Sequence, residues 1–303
     1  MSERKKGVLL RISAMLMFGL MGIIVRGTPN EPIAFLLSMQ LVGAAVFFFL
    51  TWRRGTFYLP LKYLFHILVA SALILVADFA MFSAVKLMPV ANAVFIKFTY
   101  PLLMLLAAPI FLRESPQKAM AYAVIGGMGG LALVLFRGFA VFSFSAHEYA
   151  MGTTFALIAA VSLTLFLITL KHVLSHVQSE TFLFYRFAVS ALILLTLPPR
   201  FYAHTASPQN GGQTFLFIGF GILFAVLATL VDLGGIKRLS AQETGALGYA
   251  EPLASVLYGA LFLSEIPTVQ TVAGGLLIIV SGLLVFLRRD TTATREKTVA
   301  LTK

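Results

Sequence analysis

The sequence predicts an all-α membrane protein whose ten transmembrane helices form two inverted five-helix repeats. The first observation behind this prediction is composition, because 59% of the 303 residues are hydrophobic and only 12% are charged. In a soluble domain about a quarter of the residues are charged, so this chain suits the hydrocarbon interior of a bilayer. The second observation is a series of ten apolar runs, and the third is an internal repeat of five of these runs.

Ten apolar runs are long enough to cross a bilayer, since a transmembrane helix needs about 20 mostly apolar residues. Short links separate the runs, and many links contain Pro or Gly, which end helices. The predicted spans cover residues 7–26, 32–52, 63–85, 90–112, 117–137, 150–171, 180–198, 214–236, 242–263 and 268–288. We expect the polar residues 289–303 to form a disordered cytoplasmic tail.

Basic residues are distributed unequally between the two sides of this predicted topology. Links and tails on the side of the termini hold sixteen Lys and Arg residues, whereas the opposite side holds four. Positively charged residues are retained in the cytoplasm, so we expect both termini to be cytoplasmic and the protein to lie in the inner or plasma membrane. The net charge of +11 does not indicate a nucleic-acid partner, because the basic residues fall in short groups between apolar runs.

The second half of the chain repeats the first. A shift of 151 residues aligns Pro101 with Pro252 and Glu114 with Glu265. Both glutamates lie at the membrane edge, where we expect them to be solvated caps or loop anchors. Each copy holds five predicted spans, and an odd number forces the second copy into the opposite orientation in the membrane. Inverted repeats of this kind are a recurring design of secondary transporters, which bind their substrate near the bilayer midplane where the halves meet.

Two five-helix repeats, each with a Pro in its fourth helix and a Glu thirteen residues later, resemble the EamA type of the drug/metabolite transporter superfamily. The resemblance covers about residues 7–288 and gives a first repeat at 7–137 and a second repeat at 150–288. Members of this family mostly export amino acids or small metabolites, and some import them. The resemblance implies a central cavity lined by the third, fourth, eighth and ninth helices, but it does not name the substrate.

Lys97 and Glu251 are charged residues inside predicted spans. Lys97 lies about eight residues into the fourth predicted helix, and Glu251 lies about ten residues into the ninth. A charge at mid-bilayer costs at least about 2.5–3.5 kcal/mol, so both side chains should face protein or water. Lys97 would bind an anionic group and Glu251 a cationic one, which suits a zwitterion such as an amino acid. The alternative for each residue is a structural ion pair, with Asp78 as a candidate partner of Lys97.

Aromatic and proline residues surround these two charges in the sequence. Tyr100, Tyr249 and Tyr258 are positioned to frame a substrate site. Pro101 and Pro252 remove a backbone donor, so they can bend their helices or leave a carbonyl oxygen for a ligand. For both prolines, packing is the alternative to a role in binding.

Other polar residues lie within the predicted spans. Arg186 in the seventh helix matches Gln40 in the first half, and it resembles an arginine that many family members place early in this helix. Arg186 could bind a substrate carboxylate, close a gate by pairing, or extend its charged end to the cytoplasmic interface. Gln40 is a further candidate for substrate binding. Asp78 and Asp232 are candidate proton carriers or counter-ions for the basic residues. Glu251 is the preferred coupling carboxylate, because the proline that follows it loosens the helix.

Several motifs that suggest other functions do not fit their context. The glycine-rich stretch at residues 126–130 is not a nucleotide-binding loop, because it lies within a span and no strand precedes it. His172 and His176 could share a metal if they are helical, but no third ligand is nearby, so we expect a solvated link. We therefore expect neither an enzyme nor a bound cofactor or metal.

The sequence thus favours a secondary transporter that exports a small polar metabolite, with the lipid bilayer and protons as its other partners. An importer or exchanger of a zwitterionic or cationic nutrient remains an alternative, because the sequence does not reveal direction. An intramembrane enzyme acting on lipid is a remote alternative, since no catalytic constellation is present.

Overall fold

The computed structural model describes residues 2–29, 31–111, 118–136, 145–174, 176–198, 211–239, 244, 247–281 and 283. Within these residues the regular secondary structure is entirely helical. The α-helices are α1 (Glu3–Gly27), α2 (Pro32–Arg54), α3 (Leu64–Leu87), α4 (Val90–Lys97), α5 (Tyr100–Phe111), α6 (Lys118–Phe136), α7 (Ala146–Leu174), α8 (Ser179–Leu195), α9 (Gly211–Phe220), α10 (Thr229–Ile236), α11 (Ala250–Leu263) and α12 (Val269–Ser281). The predicted tail at 289–303 and Glu114 lie outside the described residues.

Five helical segments of the described chain are long and apolar enough to cross a membrane. They are Glu3–Gly27, Pro32–Arg54, Leu61–Leu87, Ala146–Leu174 and Gly212–Ile236. Four shorter apolar helices accompany them, at Val90–Met104, Ile125–Leu135, Ala250–Leu263 and Val269–Ser281. The all-helical fold with membrane-spanning helices is therefore confirmed, whereas its division into ten spans in inverted repeats stays a prediction.

The fourth predicted span is not one continuous helix. The α-helix ends at Lys97, passes through a turn at Phe98 and Thr99, and resumes at Tyr100. Pro101 has no N–H to donate to the carbonyl group of Lys97 four residues earlier, which accounts for an interruption at this point. Residues 98 and 99 thus separate α4 from α5 in the middle of the span.

The ninth predicted span is interrupted at the corresponding place. A turn at Tyr249 precedes α11, and Pro252 lies three residues after that turn. A shift of 151 residues relates Phe98 to Tyr249, so the two interruptions occupy the same position in the two copies. The eighth predicted span is helical but contains a π-helical segment at Gly221–Ala228, between α9 and α10.

The bundle has two ends, which we name by the course of α1. The near end contains Glu3, the first residue of α1, whose carboxylate lies 2.9 Å from the guanidinium of Arg238. The far end contains Gly27, the last residue of α1, and there Arg26 pairs with Glu265. In the predicted topology the near end is cytoplasmic.

The principal helix contacts join the first half of the chain to the second. Helix α3 packs along α7, α2 packs against α8, and α1 packs against α10 and α11. Phe47 and Phe187 stack at the α2–α8 contact with ring centroids 5.6 Å apart. A Cβ atom on Gly43 would lie 2.6 Å from the ring of Phe187, so glycine is needed where this ring meets α2. The two halves therefore share one core.

Helix α11 shows which surface faces lipid. Leu253, Leu257 and Leu261 recur every four residues and are all exposed, whereas Pro252, Ser255 and Gly259 on other faces are buried. An exposed leucine stripe at helical spacing is suited to a hydrocarbon environment. The opposite side of α11 packs against α1 and α4 and carries Glu251 toward the interior of the bundle.

Candidate functional site

The charged side chains inside the helices assemble into three ion pairs. The first joins Lys97 to Glu251, with Nζ donating a hydrogen bond to Oε1 at 2.8 Å. Their side chains are 19% and 18% exposed, so neither is sealed in the core. The alternative that paired Lys97 with Asp78 is wrong, because Lys97 of the first half pairs with Glu251 of the second half.

Local structure places both charges of this pair at helix ends. Lys97 is the last residue of α4, and Glu251 lies in the first turn of α11. A helix carries partial negative charge at its C-terminus and partial positive charge at its N-terminus, which stabilises a cation and an anion respectively. The two interrupted helices therefore provide suitable electrostatic positions for a lysine and a glutamate within the membrane.

The second pair joins Arg186 on α8 to Asp78 on α3, with Nη2 and Oδ2 separated by 3.7 Å. The guanidinium carbon of Arg186 also lies 4.1 Å from the ring centroid of Phe187, which is a favourable cation–π distance. Arg186 is buried, and its Nε atom has no hydrogen-bond partner among the described residues. This arginine is thus paired at one edge of its guanidinium and unpaired at Nε.

The third pair joins Arg11 on α1 to Asp232 on α10 by a hydrogen bond from Nη1 to Oδ1. The Nε atom of Arg11 donates to the carbonyl oxygen of Thr244 at 3.2 Å. A Cβ atom on Gly235 would lie 2.9 Å from the backbone nitrogen of Arg11, and one on Gly248 would lie 3.3 Å from its Nη2 atom. Glycines at both positions therefore allow the arginine to approach the second half closely.

Sequence reasoning missed Arg11, although a signal was available. Of the 23 Lys and Arg residues, twenty lie in the predicted links and tails or within the first or last two residues of a predicted span. The remaining three lie deeper in the spans, and they are Arg11, Lys97 and Arg186. Arg11 occurs early in the first span, where it can be mistaken for part of the basic N-terminus, yet each of these three residues forms an ion pair with a carboxylate inside the bundle.

The three pairs interact with one another. The charges of Lys97 and Glu251 act on Asp78 as well as on each other, and the charge of Glu251 also acts on Asp232. We call these six residues the central cluster: Arg11, Asp78, Lys97, Arg186, Asp232 and Glu251. With three cations and three anions the central cluster has no net formal charge. The electrostatic cost of binding in the central cluster is therefore lowest for a ligand with no net charge.

Several buried polar atoms of the described residues have no hydrogen-bond partner. Gln40 is fully buried, and neither its amide nitrogen nor its amide oxygen has a hydrogen-bond partner among the described residues. The hydroxyl group of Tyr249 is also buried and unpaired, as is Nε of Arg186. Most buried polar groups in proteins are hydrogen-bonded, so exceptions such as these require an explanation. All three residues were predicted from the sequence to bind substrate.

The other predicted aromatic residues lie at different distances from the cluster. The ring of Tyr100 packs edge-on against Phe98 at 5.6 Å, and Phe98 in turn contacts Tyr249 at 6.0 Å. Tyr100 also experiences the charges of Glu251 and Arg11, so it borders the cluster. Tyr258 instead packs against Phe262, about two helical turns beyond Glu251. The structure thus brings together Tyr100 and Tyr249 and places Tyr258 further toward the far end.

The histidines form a separate group at the near end. His172 lies within α7 rather than in a link, and its ring centroid is 4.9 Å from that of His66 on α3. Tyr63 stacks on His176 at 5.0 Å. The prediction of a link is therefore wrong for His172, whereas its side chain is exposed, as predicted for a solvated residue. No group of three His, Cys, Asp or Glu side chains in the described part of the chain is arranged to hold a metal ion.

The chain is similar to known transporters along nearly its whole length. It is 23% identical over 278 residues to the pseudopaline exporter CntI of Pseudomonas aeruginosa. The matched region covers 91% of this chain and 94% of the exporter. It is 24% identical over 225 residues to an uncharacterised transporter of Synechocystis sp., covering 72% of this chain and 64% of that protein.

A solved crystal structure superimposes with a TM-score of 0.63 at 22% identity, covering 93% of this chain and 98% of the other. This likeness supports the overall fold. The EamA-like transporter family matches residues 5–136 and again residues 150–287, which agrees with a duplicated chain. Because these two matches include almost all of the residues that form the helices and the central cluster, the protein belongs to the EamA-like transporter family and is a transporter rather than an enzyme.

Proposed function

We propose that this transporter exports small zwitterionic metabolites such as amino acids across the inner or plasma membrane by alternating access. The observation that carries the proposal is the Lys97–Glu251 ion pair, which joins the two interrupted helices within the membrane-spanning part of the bundle. The similarity to a protein named as an exporter supports the outward direction. With the near end in the cytoplasm, substrate enters the cluster from that end and leaves at the far end.

The packing of the helices supports two repeats of opposite orientation. Helix α1 of the first half packs against α10 and α11 of the second half. Helix α7 occupies the equivalent place in the second half, and it packs against α3, α4 and α5 of the first half. The contacts therefore occur in corresponding sets, as an approximate two-fold axis in the membrane plane requires. Transporters with this symmetry bind substrate where the halves meet.

The chemistry of the central cluster favours a zwitterion. A substrate carboxylate can replace Glu251 as the partner of Lys97, while a substrate ammonium can replace Lys97 as the partner of Glu251. This exchange leaves no charge unpaired in the membrane, whereas a ligand of net charge would leave one, at considerable desolvation cost. The unpaired amide of Gln40 and hydroxyl of Tyr249 offer further hydrogen bonds to a polar substrate.

Coupling to protons follows from the same exchange of partners. When the substrate has left and Lys97 has separated from Glu251, the carboxylate lies without a cation in the membrane interior. Protonation removes this charge, so Glu251 can bind a proton in one state and release it when the ion pair forms again. Asp78 and Asp232 retain arginine partners and act as fixed counter-ions in this scheme.

Reconstituted protein tests this proposal directly. Purified transporter in liposomes should exchange labelled amino acid across the bilayer, and an imposed pH gradient should drive net movement. Glu251→Gln keeps the size and hydrogen-bonding capacity of the side chain but cannot lose a proton. We expect this variant to retain exchange at higher substrate concentrations, because a neutral amide binds the substrate ammonium more weakly than a carboxylate does, and to lose its response to the pH gradient.

Glu180→Gln is the matched control, because Glu180 forms ion pairs with Arg54 and Lys237 at the near end, outside the cluster. It should respond to the gradient as the wild type does. If wild-type protein exchanges amino acids but ignores the gradient, proton coupling is wrong and the protein is an exchanger. Absence of exchange for every amino acid tested would reject the substrate class.

A further inference from the structure

A network at the far end ties together four separate segments of the chain. Glu265, which follows α11, accepts a hydrogen bond from the backbone N–H of Val90 at 2.8 Å with one carboxylate oxygen. Its other oxygen lies 3.2 Å from Nε of Arg26, near the end of α1. From the sequence we expected Glu265 to be a solvated cap or loop anchor. Its side chain is in fact only 12% exposed, and it caps a helix of the other half.

Arg26 also contacts a third helix, α3. Nη1 of Arg26 donates to the carbonyl oxygen of Lys86 at 3.1 Å, and the ammonium group of Lys86 donates to the carbonyl oxygen of Thr28. The ends of α1 and α3 are thus joined by reciprocal hydrogen bonds. We call Arg26, Glu265 and the N–H of Val90 the far-end latch.

The latch and the central ion pair connect the same two helices. Helix α4 runs from Val90 in the latch to Lys97 in the central cluster, a rise of about 10 Å. Helix α11 begins beside Glu251 in the cluster and leads to Glu265 in the latch. The two helices are in contact with each other. They are therefore joined at both ends, so a movement that separates them at one end strains the connection at the other.

On the basis of the proposed transport function, we infer that Glu265 is a positioning residue that couples closure of the far end to the central ion pair. While Glu265 holds Arg26 and Val90, α1, α4 and α11 close the far end and keep Lys97 beside Glu251. Release of Arg26 lets α1 separate from the end of α11, which opens the far end. Loss of the latch should therefore shift the protein toward states that are open at the far end.

Variants at Glu265 separate the two contacts of the latch. Glu265→Gln retains an oxygen that can accept from the N–H of Val90 but loses the ion pair with Arg26. Glu265→Ala loses both contacts. Glu148→Gln is the matched control, because Glu148 also lies at the far end and accepts hydrogen bonds at a helix start, and its hydrogen-bond partner among the described residues is Ser145 beside it. The charge of Glu148 also acts on Arg26, so the control removes a carboxylate charge from the same region without disconnecting separate helices.

Distances between spin labels report the state of each end without any substrate. The chain has no cysteine, so pairs of labelled cysteines can be introduced directly. Pro29 and Ile266 form a far-end pair, and Lys5 and Gln178 form a near-end pair; all four residues are exposed. In Glu265→Gln we expect the ratio of long to short far-end distances to rise about tenfold, with a simultaneous shift to shorter near-end distances. A tenfold shift corresponds to about 1.4 kcal/mol.

The near-end distance distinguishes a coupling role from a local anchor. If Glu265 is only an anchor, its variants broaden the far-end distances and leave the near-end distances as in Glu148→Gln. That result, or unchanged distances at both ends, would overturn the inference. Glu265→Ala should shift both distances at least as far as Glu265→Gln. Because the measurement needs no substrate, a failure of the proposed substrate class leaves its interpretation intact.

Discussion

The helices α4 and α11 carry the two residues of the central ion pair, yet they have opposite environments. Every residue of α4 from Val90 to Ile96 is buried. Helix α11 instead exposes a leucine stripe toward lipid and buries mainly small residues such as Ala254, Ser255 and Gly259. The cation is therefore fixed to an enclosed helix, and the anion is fixed to a helix that borders the bilayer.

This difference indicates which partner moves. Asn92 and Phe95 of α4 are both buried against neighbouring parts of the protein. Asn92 also donates a hydrogen bond to the hydroxyl of Tyr149 at 2.8 Å. Among the described residues, helix α11 packs mainly against α1 and α4 and exposes its leucine stripe on another face, so it can tilt without disrupting a packed core. We therefore expect Lys97 to be the stationary charge and Glu251 the mobile one during transport.

The largest expected effect concerns the packing that encloses α4. A Cβ atom on Gly275 of α12 would overlap the ring of Phe95. Gly275→Val should therefore displace α4 and lower the free energy of unfolding by about 3 kcal/mol, the upper range for overpacking a core. Chemical denaturation of the purified protein in detergent measures this loss.

Gly219→Val provides the control for this substitution, because no atom of the described residues outside its own stretch of helix lies within 4 Å of the Cβ position at Gly219. It should unfold at a denaturant concentration close to that of the wild type. If Gly275→Val is equally stable, α4 is not enclosed as tightly as its burial indicates, and the contrast between the two helices fails.

The contrast between these helices was only partly predictable from the sequence. The 151-residue shift locates Lys97 and Glu251 in corresponding helices, because a charge in an apolar run is conspicuous. Their pairing across the halves was not predictable, since it depends on how the two interrupted helices approach each other in space. For the same reason Asp78 was offered as a partner of either Lys97 or Arg186, and the structure pairs it with Arg186.

Two other features were missed from the sequence for different physical reasons. Arg11 lies early in the first span, where a basic residue is usually interfacial, and its close contact with Gly235 shows that it enters the bundle. Glu265 follows the last residue of α11 by two positions, where a glutamate is usually solvated. Its contact with Val90 depends on the position of a helix 175 residues away in the sequence.

A smaller effect is expected from exchanging the two charges. Lys97→Glu combined with Glu251→Lys keeps opposite charges together, but it places the anion at the C-terminus of α4 and the cation at the N-terminus of α11. Both positions are unfavourable relative to the helix dipoles, so we expect a loss of about 1 kcal/mol. The same denaturation measurement detects this change.

The near-end pair Arg54–Glu180 supplies a matched exchange. Arg54 lies in the last turn of α2 and Glu180 in the first turn of α8, so the orientation relative to the dipoles is the same. The side chain of Arg54 is exposed, and water screens its charge, so this exchange should cost less. If both exchanges lower the free energy of unfolding equally, the environment of the central pair adds nothing to the effect of the helix dipoles.

The most direct test of the central claim, that Lys97 and Glu251 each bind one charge of the substrate, is a comparison of ligand analogues by calorimetric titration. The amino acid that binds wild-type protein is compared with the amine that lacks its carboxylate and with the acid that lacks its ammonium. We expect each analogue to bind wild-type protein at least about tenfold more weakly, equivalent to about 1.4 kcal/mol. Lys62→Ala, an exposed near-end substitution, serves as the control.

Each of two variants should lose the ability to distinguish the amino acid from one of its two analogues. Lys97→Ala should no longer distinguish the amino acid from the amine but should still reject the acid. Glu251→Ala should show the reverse pattern, because it lacks the partner of the ammonium group. If both variants discriminate between the ligands as wild-type protein does, the Lys97–Glu251 pair is a structural contact and the substrate binds elsewhere.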